Sequence, residues 1–222
     1  MCGRFTLITE ISELQQEFSF ANFPEDIPPR YNIAPSQPVA VIANIPNPQV
    51  DFYVWGLIPH WSKDPQIGNR LINARAETLA DKPAFRGPFR YHRCLILADG
   101  FFEWKKDNGT KTPYLVRLKS QKPFAFAGLW DKWQSPDGSE ILSCTIITTN
   151  PNELLKPIHD RMPAILSPQT YLTWINPEPM LPAALKPLLQ PYPAEQMIAY
   201  PVSRAVNDPQ FDDPQCVLPV AG

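Results

Sequence analysis

Cysteine and glycine are both scarce in this chain of 222 residues, which contains 4 cysteines and 9 glycines. The cysteines lie far apart and form no CxxC pair; they are Cys2, Cys94, Cys144 and Cys216. This spacing argues against a metal site and against a disulfide framework, because both arrangements use thiols at characteristic spacings. The 9 glycines stand against 28 prolines. That balance favours many short elements joined by stiff turns and argues against long helices.

Long apolar runs and a strong net charge are also absent from the sequence. No apolar run approaches the ~18–20 residues that a membrane-spanning helix needs. The residues after Met1 lead into an amphipathic segment and not into the apolar core of a signal peptide. We therefore expect an intracellular protein with no membrane partner. The formal net charge of -2 gives no global indication of a nucleic-acid partner.

The arginines are unevenly distributed along the chain. Five of the ten arginines fall between positions 70 and 93, whereas all charged side chains after Arg204 are acidic. The concentration between 70 and 93 is compatible with a basic face on a nearly neutral protein. Such counts more commonly mark an ordinary solvated surface, so the charge pattern alone assigns no ligand.

Helices are predicted in only a few places. The chain length fits one large domain, and we expect a single domain over residues 1–222. Apolar residues recur at helical spacing over 9–20, where Thr9 is the candidate N-cap. Further helices are predicted at 169–175 and 183–189.

Strands are predicted over much of the remaining chain, whereas the basic stretch from 78 to 93 looks irregular. Because strands outnumber helices, we expect an α+β fold in which a central, mostly antiparallel, curled β-sheet or barrel is flanked by short helices. The predicted strands are 39–43, 50–55, 94–102, 114–118, 123–129, 141–148, 164–166 and 197–202.

The first five residues carry the most unusual chemistry of the sequence. An initiator methionine that precedes a small residue is usually removed, and the chain would then begin with Cys2, which holds a free α-amine and a thiol. Because α-amino groups titrate near ~7.7–8.0, part of the amine is neutral at pH 7. The thiol can attack a carbonyl with this amine as base, or the amine can condense with an aldehyde and the thiol can close a thiazolidine. If Met1 is retained, Cys2 is a small buried apolar residue, as most free cysteines are.

Two further residues stand beside apolar strands in settings that suit proton transfer. Glu103 is flanked by Phe102 and Trp104, and aromatic neighbours raise a carboxyl pKa because they exclude water. His159 is one of only 3 histidines and precedes Asp160, so it can act as an acid or a base near neutral pH. Each residue also has a purely structural interpretation, Glu103 as the outward residue after a strand and His159 as a packing residue.

Short motifs spread over the whole chain carry a more specific signal than any single residue. In order and in spacing they resemble the motifs of the SRAP family of abasic-site processing proteins, and the resemblance spans nearly the whole chain. The motifs are MCGRF at 1–5, RYNIAPSQ at 30–37, WGLIPHW at 55–61, INARAET at 72–78, ADGFFEW at 98–104, IHDRMP at 158–163 and VSRAV at 202–206.

The resemblance implies a covalent chemistry. Members of the SRAP family bind single-stranded DNA that contains an abasic site, and their mature N-terminal cysteine forms a thiazolidine with the ring-opened sugar aldehyde. Cys2 matches the crosslinking cysteine, and Asn73 matches the asparagine that contacts the opened deoxyribose. Glu103 matches the glutamate beside the α-amine, and His159 matches the histidine that assists sugar opening and Schiff-base formation. The implied partner is abasic single-stranded DNA, and no cofactor is implied.

The resemblance also implies a DNA-binding surface. Arg4, Arg75 and Arg161 match phosphate-contacting arginines, and the fork geometry of a guanidinium suits phosphate. Trp61 matches an aromatic residue near the point where the strand bends or meets a duplex end, and Pro35 is a further DNA-binding candidate. We expect a monomer, cytoplasmic or nucleoid-associated, that works near the replication machinery.

Other functions remain open for a chain that begins Met-Cys-Gly. The family is also described as peptidase-like, because loss of Met1 can be autocatalytic. Class II glutamine amidotransferases begin with the same three residues and use the cysteine thiol on a glutamine side chain, although that function leaves Glu103 and His159 unexplained. A third function is DNA binding without catalysis, in which Cys2 is incidental. Ammonia release from glutamine would identify the amidotransferase, and binding without crosslinking would identify the binding module.

Overall fold

The computed structural model describes residues 2–107 and 109–220, and strands dominate this part of the chain. The strands are β1 (Phe5–Leu7), β2 (Arg30–Ile33), β3 (Pro38–Ala43), β4 (Val50–Trp55), β5 (Asn73–Arg75), β6 (Arg93–Ala98), β7 (Gly100–Asp107), β8 (Thr110–Leu118), β9 (Phe124–Gln134), β10 (Glu140–Thr149), β11 (Met162–Pro163), β12 (Ile165–Leu166) and β13 (Met197–Pro201). This arrangement confirms the α+β prediction.

The helices are short, as the many prolines predicted. Short 3₁₀ segments lie between the regular elements, and among the described residues none of the helices has the length and apolar character needed to cross a bilayer. The α-helices are α1 (Ile11–Glu17), α2 (Pro83–Tyr91), α3 (Tyr171–Trp174) and α4 (Pro182–Leu185).

Five of the strands close into a barrel. Their order is β10-β4-β3-β6-β9, and β9 pairs with β10 to complete the ring. The β10–β4 pair is parallel, and the other pairs of the ring are antiparallel. Closure leaves no free edge within the ring. Strand β5 extends this sheet by pairing in parallel with the second half of β10, where Asn73 lies opposite Ile146.

A second sheet of five strands packs against the barrel. Its order is β13-β8-β7-β1-β2, and every neighbouring pair is antiparallel. Phe5 of β1 makes edge contacts with Trp55 of β4 and Phe126 of β9, with ring centroids 5.2 and 5.6 Å apart. The two sheets therefore share one apolar core, and the start of the chain is held between them.

The prediction of a strand over 94–102 was wrong in one respect, because the chain turns at Asp99. Strand β6 of the barrel ends at Ala98, and β7 of the second sheet begins at Gly100. The buried Asp99 carboxylate accepts hydrogen bonds from the Thr6 hydroxyl (2.6 Å) and the Thr9 amide (2.8 Å). An apolar run with one acidic residue thus carries the chain from one sheet to the other.

Two predictions about helices were also wrong. Thr9 is not the N-cap of α1: the cap is Glu10, and the Thr9 hydroxyl donates to Asp99 at 2.8 Å. The segment from 78 to 93 is not irregular, because α2 lies within it. Phe85 and Phe89 are one turn apart and buried, and the helix contains Pro88, a residue that usually interrupts helices and concealed this one.

Candidate functional site

Cys2 lies between the two sheets, immediately before β1. Its side chain is fully buried, and its carbonyl accepts a hydrogen bond of 2.7 Å from the side-chain amide of Asn73. Asn73 reaches this carbonyl because it opens β5, which pairs with β10. Its Oδ1 atom is buried and has no hydrogen-bond partner among the described residues. Burial raises the pKa of the Cys2 thiol, and the charge of Glu103 adds to that effect.

Glu103 is held beside the start of the chain by the pairing of β1 with β7. Phe5 lies opposite Phe101, and the Phe102 amide donates to the Arg4 carbonyl at 2.9 Å. This register sets Glu103 alongside Gly3, next to Cys2. The Glu103 side chain is 1% exposed. Burial raises its pKa to about 7 from the usual 4.5, so this carboxyl exchanges its proton near neutral pH.

His159 approaches Glu103 from the loop between β10 and β11. Its Nε2 atom lies 3.9 Å from Glu103 Oε2, which is longer than a hydrogen bond. Its Nδ1 atom lies 3.1 Å from the Arg161 amide and 2.9 Å from Asp160 Oδ1. The amide needs a lone pair on Nδ1 and the carboxylate needs a proton there, so the two contacts belong to different protonation states of the ring. Burial lowers the pKa of His159.

Glu103 and His159 both line a cavity of about 480 Å³ on the surface. In its wall, the Trp104 indole donates to Asn207 Oδ1 at 2.8 Å, which connects β7 to the residue that follows the VSRAV motif. The cavity therefore lies beside both residues, although Glu103 itself is buried. The residues around the cavity are Glu103, Trp104, Lys106, Lys111, His159 and Asn207.

Arg4 is held rigidly by the RYNIAPSQ motif. One Nη atom donates to Asn32 Oδ1 at 2.7 Å and to the Val206 carbonyl at 2.6 Å. Asn32 is fully buried, and its amide nitrogen donates to the carbonyls of Asp208 (2.9 Å) and Phe211 (2.7 Å). Burial lowers the pKa of Arg4. Asn32 thus orients the guanidinium and fixes the 206–211 turn with one side chain.

Arg161 and Arg75 lie near each other at the end of β5. Arg161 makes a bidentate pair with Glu77, at 2.8 and 3.0 Å, and also donates to the Thr148 carbonyl at 2.6 Å. These hydrogen bonds to Arg161 lower the pKa of Glu77. Arg75 lies opposite Thr148 in the sheet and its side chain is exposed. The two arginines therefore differ, since one is already paired and the other faces solvent.

Comparison with known proteins identifies the family of this chain. Residues 1–209 match the family described as SOS response associated peptidase (SRAP). The chain belongs to the SRAP family. Its relatives include the abasic site processing proteins YoqW and YoaM of Bacillus subtilis (strain 168). YoqW is 49% identical over 221 residues, which cover 98% of this chain and 99% of YoqW. YoaM is 49% identical over 214 residues, which cover 95% of this chain and 94% of YoaM.

A solved structure of similar fold comes from Bacteroides thetaiotaomicron. That crystal structure superposes on this chain with a TM-score of 0.88 at 28% sequence identity, and the match covers 99% of this chain and 100% of the other. The fold described above is therefore shared over nearly the full chain.

The other two candidate DNA-binding residues, Trp61 and Pro35, lie outside these contacts. Trp61 is 52% exposed, and its loop is anchored where the His60 amide donates to the buried carboxylate of Asp131 at 2.9 Å. Pro35 is half-buried and directly follows β2 and Ala34. The structure brings Cys2, Asn73, Glu103 and His159 into one cluster, whereas Trp61 and Pro35 are not part of it.

Sequence reasoning missed three residues that support the site. Asn32 orients Arg4, Glu77 pairs with Arg161, and Asp131 anchors the loop of Trp61. Asn32 and Glu77 stand inside motifs that were recognised, so an unexplained polar residue within each motif was a usable signal. Asp131 had no signal, because its partner His60 is distant in the chain.

Proposed function

We propose that this SRAP protein processes abasic sites in single-stranded DNA and becomes covalently linked to them through Cys2 after removal of Met1. The observation that carries the proposal is the cluster of Cys2, Asn73, Glu103 and His159, which unites two groups suited to proton transfer with the residue that becomes the N-terminus. The names of its relatives, abasic site processing proteins, support the substrate. The proposed function therefore includes a chemical step on the DNA lesion in addition to DNA binding.

The chemistry balances without an added reagent. The α-amine of Cys2 adds to the sugar aldehyde, and the carbinolamine loses water to give a Schiff base. The thiol sulfur then adds to the imine carbon, and the thiol proton passes to the nitrogen. One aldehyde and one aminothiol thus give one thiazolidine and one water. Because amine, thiol and aldehyde are held together, the reaction gains the effective molarity that a free cysteine lacks.

Glu103 and His159 can move the protons that these steps require. Removal of a proton from the amine, and later from the buried thiol, needs a base that is partly ionised near neutral pH. Glu103 meets this need because burial raises its pKa to about 7. Burial lowers the pKa of His159, so its ring is mostly neutral and can serve the opening of the cyclic sugar. Asn73 has a buried Oδ1 that can accept a hydrogen bond from a sugar hydroxyl.

The arginines supply sites for the DNA backbone. Arg75 is exposed and can contact a phosphate as it stands, whereas Arg161 must share its guanidinium between Glu77 and the DNA. Arg4 is held in place by Asn32. Guanidinium groups bind phosphate oxygens well through paired N–H donors.

The test is to mix the purified protein with an abasic single-stranded oligonucleotide and to measure the products by denaturing gel and intact mass. We expect an adduct that survives heat and detergent, and a mass that lacks Met1 and equals protein plus DNA minus one water. Cys2→Ala should bind the oligonucleotide and form no stable adduct. An undamaged oligonucleotide is the matched control. Undiminished crosslinking by Cys2→Ala, or retention of Met1 in the active protein, would contradict the proposal.

A further inference from the structure

Two lysines face each other at the rim of the candidate cavity. Strands β7 and β8 form a hairpin in which Lys106 lies opposite Lys111, and both side chains line the cavity together with Glu103 and His159. Like charges placed directly opposite on neighbouring strands destabilise a sheet. A chain that keeps such a pair at its candidate site has an unfavourable interaction that an anionic ligand would relieve.

These lysines differ from three other lysines of the protein that lie beside acidic residues. Lys122, Lys132 and Lys156 each pair with a carboxylate, respectively those of Glu17, Glu140 and Glu153. Within residues 2–107 and 109–220, no salt bridge is formed by Lys106 or Lys111. Both lysines therefore line the cavity without a salt bridge to a carboxylate of the described residues.

Lys106 is also close enough to influence the candidate chemistry. Burial lowers the pKa of His159, and the positive charge of Lys106 acts in the same direction. An anion bound by Lys106 would consequently lie within electrostatic reach of His159. Two of the arginine candidates are connected to the same part of the structure, because Arg161 is two residues beyond His159 in the chain and Arg75 lies at the end of β5, opposite Thr148.

We propose that Lys106 and Lys111 form a second phosphate-binding site that holds the DNA backbone on the hairpin side of the cavity. This inference rests on the proposed function and extends it. A strand bound by the two lysines at the rim of this cavity would pass close to Glu103 and His159, which line the same cavity. The lysines act through charge, since an ammonium group is a compact donor that tolerates many phosphate positions.

The test compares two double variants with the parent. Lys106→Gln/Lys111→Gln removes the pair, and Lys119→Gln/Lys122→Gln removes the same charge beyond the far end of β8. A strand rises about 3.3 Å per residue, so Lys119 is roughly 26 Å along the chain from Lys111. Binding to a single-stranded oligonucleotide with intact bases is measured by fluorescence anisotropy between about 50 and 200 mM salt.

We expect the logarithmic salt slope of the Lys106→Gln/Lys111→Gln variant to be smaller in magnitude by about 1.4, because each phosphate contact contributes about 0.7 on single strands. The Lys119→Gln/Lys122→Gln control should keep the parent slope, and Lys106→Arg/Lys111→Arg should keep most of it. Thermal melts should show that all variants fold like the parent.

The outcomes separate this inference from the proposed function. If the parent binds DNA and forms the adduct while both Gln variants keep its slope, the lysine site is wrong and the proposed function stands. A loss of slope in the control equal to that in the Lys106→Gln/Lys111→Gln variant would likewise overturn the site, because only net charge would then matter. If the parent neither binds nor crosslinks, the proposed function itself fails.

Discussion

His159 Nε2 lies 3.9 Å from Glu103 Oε2, and burial shifts the pKa values of the two residues in opposite directions. Burial raises the pKa of the carboxyl to about 7 and lowers that of the imidazole. In each case the uncharged form is favoured, because a low-dielectric surrounding penalises charge. The pair can therefore hold one proton between them near neutral pH, which is the condition for acid–base catalysis of the proposed reaction.

The role of His159 predicts a slow but well-bound variant. His159→Ala should reduce the rate of adduct formation by about 10²–10⁴, the usual contribution of a positioned acid or base, and should change DNA affinity by only a few-fold. A crosslinking time course at saturating DNA, run beside a binding titration, measures both quantities. His92→Ala is the matched control. The His92 ring stacks on Trp130, with ring centroids 4.5 Å apart, and is not part of the cluster. Normal crosslinking by His159→Ala would return this histidine to a packing role.

The raised pKa of Glu103 predicts a pH dependence of stability. The folded protein holds this proton more tightly than the unfolded chain does, whose carboxyl titrates near 4.5. The associated stability is therefore present below about pH 4.5 and is lost as pH rises through about 7. Glu103→Gln cannot titrate. Between about pH 4.5 and about pH 7, its free energy of unfolding should therefore fall by roughly 1–3 kcal/mol less than that of the parent.

Urea denaturation at about pH 5 and about pH 8 measures this difference. The exposed Glu153 provides a control, and Glu153→Gln should follow the parent at both pH values. The same Glu103→Gln protein should crosslink slowly, because the amide cannot accept the amine proton. Identical pH profiles for Glu103→Gln and the parent would show that burial does not destabilise the ionised carboxylate of Glu103.

At the residue scale, motifs were a better guide than local pattern. Cys2, Asn73, Glu103 and His159 are far apart in the chain, and no periodicity relates them; only their resemblance to family motifs grouped them. The partners of these residues were harder to foresee. Asp131 anchors the loop of Trp61 through a contact that spans 71 positions, and such pairings depend on the register of strands that the sequence does not specify.

At the scale of elements, Asp99 connects strand β6 of the barrel to strand β7 of the second sheet. Its carboxylate is 1% exposed and accepts hydrogen bonds from the Thr6 hydroxyl and from the amide and hydroxyl of Thr9. Thr6 lies within β1, and Thr9 lies in the segment leading to α1. One side chain therefore fixes the turn from β6 to β7 and the path of the chain after β1.

Loss of the Asp99 carboxylate should destabilise the protein strongly. Asp99→Ala leaves several buried donors without an acceptor, and we expect a loss of about 2–5 kcal/mol in the free energy of unfolding. Chemical denaturation measures it, and Asp107→Ala, exposed at the end of the same strand β7, is the control. Because β1 also places Cys2, the variant should lose crosslinking activity in proportion to the unfolded fraction. A loss below about 0.5 kcal/mol would contradict the role of Asp99.

Strands were easier to predict than their ends or the helices. The prediction for 50–55 coincides with β4, because its apolar and β-branched residues end at a glycine turn. Helix α2 was missed because prolines at positions 83 and 88 are typical of a loop, although Phe85 and Phe89 lie one turn apart and are both buried. The sequence predicted a curled sheet or barrel but not which strands close it, since the pairing of β9 with β10 and that of β10 with β4 depend on contacts between distant segments.

At the scale of the whole molecule, the fold divides the arginines that cluster in the sequence. Arg93 is fully buried and donates to the carbonyls of Trp174 (2.8 Å) and Asn176 (2.6 Å), so it serves the core. Burial lowers its pKa to about 10. Arg86 lies on α2 and lines a separate cavity, whereas Arg75 lies at the end of β5 beside the candidate site. The concentration of arginines between 70 and 93 is thus not one basic face.

This division predicts that two exposed arginines of the same sequence cluster behave differently. About three to four phosphate contacts should give the parent a logarithmic salt slope of roughly −2 to −3 on single-stranded DNA, despite the net charge. Arg75→Glu should weaken binding and reduce the slope by about 0.7 or more, because a contact is lost and a repulsive charge is added. Arg86→Glu changes the net charge equally but should leave the slope near that of the parent. Titrations with an undamaged oligonucleotide over a range of salt concentrations measure both effects. Equal losses in the two variants would mean that overall charge, and not a defined groove beside β5, attracts the DNA.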